Sequence, residues 1–156
     1  MSRQLIQPWI AIIFIATCAR WTGATAQNLI NPASPANCPQ AADLSAVHLY
    51  GLWRAEFEGL PQPATVLFER HAELTGSVSG HINRGGAKAQ IAGDVDEGEL
   101  ALDESLDGQN ISATWTGTVV DNTCGKEIRG TWNNTLPGAT GHRSHPFVLR
   151  KLPGWQ

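Results

Sequence analysis

Between Leu49 and Trp132, six stretches alternate apolar and polar residues almost without a break. The clearest is Leu74-Thr75-Gly76-Ser77-Val78-Ser79-Gly80-His81-Ile82-Asn83. Leu74, Val78 and Ile82 share one side with Gly76 and Gly80; Thr75, Ser77, Ser79, His81 and Asn83 share the other. A repeat of two marks an extended strand with one dry and one wet face. On this basis eight strands are predicted, over 49–57, 64–70, 74–83, 87–95, 99–104, 110–120, 127–133 and 147–151.

Turn residues separate them. Gly59-Leu60-Pro61-Gln62-Pro63, Arg84-Gly85-Gly86, Asp96-Glu97-Gly98 and Asp107-Gly108 are reversal sequences, and all but one connection is short enough for a hairpin. Neighbours in sequence are therefore expected to be neighbours in the sheet. The predicted fold is all-β, an eight-stranded antiparallel up-and-down meander. Closing it into a barrel removes its two raw edges. Gly76, Gly80, Gly93, Gly117 and Gly130 all fall on the apolar face, where a strongly coiled strand needs a missing side chain. Alternation alone also allows a two-sheet β-sandwich.

The first 26 residues read as a secretory signal: Arg3, an apolar run from Trp9 to Ala19, then Ala24-Thr25-Ala26 before Gln27. That run is short for a membrane span, which takes about 20 apolar residues. Ile15-Ala16-Thr17-Cys18 resembles a bacterial lipobox, so the alternative to a secreted or periplasmic location is a lipid anchor through Cys18. Residues 27–46, with Pro32 and Pro35, form an extended arm with one helix-like turn at most over 41–47; 47–152 form the barrel domain and 153–156 a tail. The chain carries 11 Lys and Arg against 14 Asp and Glu, and Arg3 and Arg20 leave with the signal. An acidic domain without a basic stripe excludes nucleic acid as the expected partner, and no later segment is expected to meet a membrane. Cys38 and Cys124 remain as an even pair, and in an oxidising compartment they are expected to form a disulfide.

Gly51-Leu52-Trp53 opens the first strand with G-x-W, Arg150 lies at the end of the last, Cys38 precedes the G-x-W, and Leu74-Thr75-Gly76 opens the third strand. In these features the stretch from Cys38 to Lys151 resembles the calycins, meaning lipocalins, avidins and their relatives. The resemblance implies a barrel whose floor is closed by Trp53, with Arg150 over that ring. The chain has no lipocalin T-D-Y, no C-terminal helix and no avidin-like set of biotin-binding polar residues, so the resemblance implies the architecture and none of those ligands.

Chemistry is sparse. There is no G-x-S-x-G, H-E-x-x-H or phosphate-cradling loop, and no enzyme activity or cofactor is expected. His142-Arg143-Ser144-His145 offers two metal ligands where a closed zinc site takes four, and Asp94-Val95-Asp96-Glu97-Gly98-Glu99 lacks the twelve-residue calcium pattern. Neither is expected to hold a metal; the acidic run reads as a charged hairpin tip. Asn110-Ile111-Ser112 and Asn133-Asn134-Thr135 are glycosylation sequons for a eukaryotic secretory route. Trp53, Trp115 and Trp132 lie on apolar strand faces, where they either fill the core or line a cavity. The leading expectation is a non-enzymatic binding protein that holds a small, mostly apolar molecule in the barrel, with Trp53, Phe68, Trp115 and Trp132 in the cavity wall. The alternative is a protein-interaction module, such as an inhibitor of a secreted enzyme or a cell-surface accessory. Its recognition would lie in the N-terminal arm or the loop over 135–145.

Overall fold

The computed structural model describes residues 38–138 and 143–154. The predicted leader with Cys18, most of the predicted arm, His142 and Trp155 lie outside them. Eight strands follow in order: β1 (Gly51–Phe57), β2 (Ala64–Arg70), β3 (Ser77–Arg84), β4 (Ala87–Asp96), β5 (Glu99–Ser105), β6 (Ala113–Val119), β7 (Glu127–Asn134) and β8 (Ser144–Lys151). Each pairs antiparallel with the next. β1 also pairs with β8, from Trp53 opposite Lys151 to Phe57 opposite Phe147, so the sheet is a closed barrel and not a sandwich. With closure, every strand has two partners and none offers a free edge.

Inward positions follow the period of two. Trp53, Ala55 and Phe57 of β1 are buried while Arg54 and Glu56 are exposed, and the same alternation runs through β2 to β8. Glycine is required where backbones approach inside the barrel. A Cβ on Gly130 would run into the Thr116 carbonyl and the Cα of Gly117, which is its cross-strand partner. A Cβ on Gly117 would come 3.1 Å from the Phe147 ring. The room left by this glycine pair is therefore taken by an aromatic side chain. Gly76 differs: it lies in the β2–β3 turn with open space around it.

Two strand starts predicted from apolar phase lie in turns instead. In the β2–β3 turn, His71 Nδ1 accepts the backbone N–H groups of Glu73 and Leu74, which holds Leu74 in the turn and out in solvent. Ile111 is likewise exposed, ahead of β6. At the other end of the chain, Leu49 does not begin β1. It closes a single-turn helix, α1 (Ala46–Leu49), which follows a 3-10 turn, Ala41–Asp43. The N–H of Ser45 donates to His48 Nδ1 at 3.1 Å and caps α1. Leu44, Ala46 and Leu49 are buried as a plug in one end of the barrel. Leu44 and Ala46, in the stretch read as part of the arm, thus belong to the core.

The disulfide forms. Cys38 and Cys124 join the plug to the β6–β7 loop across a sequence separation of 86 residues. Trp53 floors the barrel beside the plug, its indole N–H donating to the Leu49 carbonyl at 2.6 Å. The cation over its ring is Lys151, at 5.6 Å, and not Arg150. Residues alternate faces along β8, so Arg150 points outward, where it pairs with Glu56 and Glu127. Lys151 Nζ donates to the His48 carbonyl at 2.7 Å; burial, then the neighbouring Lys126, pushes its pKa down.

Candidate functional site

The end opposite the plug is a rim built from the β1–β2, β3–β4, β5–β6 and β7–β8 connections. Two charged residues reach the barrel interior there, because they continue the inward phase of their strands: Val78, Gly80, Ile82 and Arg84 on β3, and Leu100, Leu102 and Glu104 on β5. Glu104 is 4% exposed. Its Oε2 accepts the indole N–H of Trp115 at 3.0 Å and of Trp132 at 2.9 Å, and lies 3.5 Å from Arg84 Nη2. Its backbone carbonyl accepts both the N–H and the hydroxyl of Ser112. Burying a carboxylate is costly, and these donors are what permit it.

Arg84 covers this group. Its guanidinium sits 4.7 Å from the Phe57 ring centre and 4.5 Å from that of Trp132. Its side chain keeps 23% of its surface exposed, yet its Nε is buried and has no hydrogen-bond partner among the described residues. Phe57 meets Trp115 and Trp132 edge-on at 5.2 and 5.9 Å, and Trp115 meets Phe147 at 4.9 Å. Such contacts fix ring positions and add about 0.5–1.5 kcal/mol each beyond burial.

The four residues predicted as a cavity wall are all buried and fall into two pairs. Trp115 and Trp132 are direct cross-strand partners beneath Arg84. Trp53 and Phe68 meet edge-on at 6.1 Å near the plug. Sequence reading missed Arg84, Glu104 and Phe57 as members of one cluster; the available signal was that both charges share the phase of apolar neighbours.

On the rim itself, Leu106, Ile111 and Leu136 are exposed. They stand on two braced loops. Asp107 accepts the backbone N–H groups of Gln109 and Asn110, the Asn110 side-chain amide and the Ser105 hydroxyl. These bonds, those from Asn110 foremost, hold its carboxyl well below the ordinary aspartate range. The Thr135 N–H donates to the Ser112 carbonyl and its hydroxyl to that of Ile111, which ties the β7–β8 loop to the β5–β6 loop.

Elsewhere, a groove of about 520 Å³ runs along the outer wall beside α1, lined by residues that include Val47, Tyr50, Leu67, Arg70 and Lys151. His145 Nδ1 is 2.9 Å from the Glu58 carbonyl, and His81 is exposed on β3. Among the described residues, no group of three or more His, Cys, Asp or Glu side chains could hold a metal ion, and no helix is long and apolar enough to cross a membrane.

The fold defines the class: an eight-stranded up-and-down barrel, plugged at one end and consistent with a calycin-like architecture. The chain matches no protein-family model and no curated protein.

Proposed function

We propose that the mature chain is an exported, non-enzymatic binding module of calycin type that recognises a protein partner through the rim. The observation that carries this is the apolar set Leu106, Ile111 and Leu136, exposed by 53%, 51% and 38% on loops held by Asp107 and Thr135. The three stand on loops at the same end of the barrel, and contiguous exposed apolar surface marks interaction sites. Bracing those loops before contact lowers the ordering cost of binding. The disulfide is compatible with an extracellular or periplasmic location.

The test is affinity capture from the native compartment with the intact protein and with the triple variant Leu106→Ser/Ile111→Ser/Leu136→Ser. All three side chains are exposed, so the variant should keep its stability and lose a stoichiometric partner. Undiminished capture by a folded triple variant would refute the rim as the recognition surface.

A second reading keeps the same end of the barrel and gives it a small, mostly apolar ligand. It is favoured by the buried charge of Glu104 among aromatic rings, since apolar residues would fill that space at equal or lower free energy. In this reading the ligand would lie against Trp115 and Trp132, with Trp53 and Phe68 forming the deeper wall.

A further inference from the structure

We propose that the cluster of Glu104, Phe57 and Trp132 around the Arg84 guanidinium is a binding site for an organic cation, a guanidinium or primary ammonium on a short apolar body, with Arg84 as its built-in occupant. The inference rests on the second reading above and names the head group that its ligand carries.

Consider the site without the Arg84 side chain. A carboxylate, Glu104, lies at the base, and the Phe57 and Trp132 rings that now face the guanidinium form the walls. Ring faces carry negative charge density and a carboxylate carries a full negative charge, so base and walls both select a cation. The apolar walls accept the alkyl body behind it.

Most of this cage is held by contacts other than those of Arg84. The two indole N–H bonds at 3.0 and 2.9 Å orient the Glu104 carboxylate, Ser112 holds its backbone, and edge-on contacts lock Phe57, Trp115 and Trp132. Arg84, by contrast, fills it poorly. Its one ionic contact among the described residues is 3.5 Å, whereas charge-assisted bonds from guanidinium to carboxylate run about 2.7–2.9 Å. Among the described residues its buried Nε finds no acceptor, and an unmade hydrogen bond of a buried donor is unfavourable. Arg84 is the last residue of β3, and that backbone position dictates its approach to Glu104. A diffusing cation is free of this constraint and can donate squarely. Because Arg84 is tethered, it competes at an effective concentration on the order of millimolar or more, so simple cations should bind the native protein only weakly.

A free organic cation and an Arg or Lys side chain on a protein partner present the same head group. The experiment is a titration of the intact, disulfide-bonded protein with butylguanidinium at fixed ionic strength, followed by tryptophan fluorescence. Butylurea serves as the neutral isostere and an end-capped Gly-Arg-Gly peptide as the second source. Butylguanidinium should give a saturable change in the wild type, about tenfold tighter in Arg84→Ala and about tenfold weaker in Glu104→Gln. Tighter binding of the peptide would assign the site to a protein side chain, and weaker binding to a free cation. No saturable response of the wild type to either cation overturns the proposal, whether or not Arg84→Ala folds. Equal responses to butylguanidinium and butylurea would reject the cation and leave the small-ligand reading intact.

Discussion

Replacing Glu104 by Leu removes the acceptor shared by Trp115, Trp132 and Arg84 while nearly preserving volume. Both indole N–H groups then point at hydrocarbon, and each orphaned buried donor costs about 1–3 kcal/mol. Arg84 loses its counter-charge, and breaking a buried pair by removing one partner costs about 3–5 kcal/mol. These costs overlap, because Arg84 is the outermost member and can turn towards water, so the expected loss is about 4 kcal/mol. Glu104→Gln keeps an oxygen for the indoles and removes only the charge, for an expected loss of about 1–2 kcal/mol. Arg84→Met added to Glu104→Leu should recover part of the larger loss, since apolar replacement of a buried ion pair is neutral or stabilising by about 1–4 kcal/mol. Equilibrium urea unfolding with the disulfide intact measures all three, with the m-value as a check on two-state behaviour. A loss below about 1 kcal/mol for Glu104→Leu would refute the view that the carboxylate organises this end of the barrel.

Three further outcomes follow from the geometry. Reducing the Cys38–Cys124 bond, or replacing both residues by Ser, should cost about 4–5 kcal/mol by the loop-entropy relation, read as a lower urea midpoint; an unchanged midpoint would contradict it. Gly130→Ala should abolish the β6–β7 pairing or cost about 3 kcal/mol or more, because the new methyl meets the backbone of Thr116 and Gly117; Gly76→Ala meets no neighbouring atom and carries only the backbone strain of its φ of +93°, so it should cost less, and circular dichroism melts compare the two. Asp107 has a folded pKa below its unfolded one, so its contribution to the β5–β6 loop is complete above the ordinary aspartate value and is lost as pH falls through the folded value. Carboxyl carbon shifts should place its titration below that of exposed aspartates, and an ordinary midpoint would show that the loop is not held as described.

The strands were legible because a barrel wall imposes a period of two, and β2 spans the predicted residues without adjustment. The errors arose where a side chain competes with the sheet for backbone N–H groups. Leu74 and Ile111 sit beside turns organised by His71 and Asp107, and both were in phase with the strands that follow them. The floor was legible in Trp53 but not in its cation. A one-residue shift along β8 exchanges inside for outside, so Arg150 and Lys151 trade roles. The Arg84–Glu104 cluster was the least visible. Its charges lie 20 residues apart, and each looks like an ordinary polar strand end until closure brings β3, β5, β6 and β7 around one interior.

Because β1 starts and β8 finishes beside the plug, the barrel's incoming and outgoing segments share one pole, and the rim occupies the other. A tether attached just before Cys38 or just after Gly154, whether a surface attachment or an affinity tag, would hold the molecule by its base. Leu106, Ile111, Leu136 and Arg84 would then face away from the support, presented like the bowl of a goblet held by its foot.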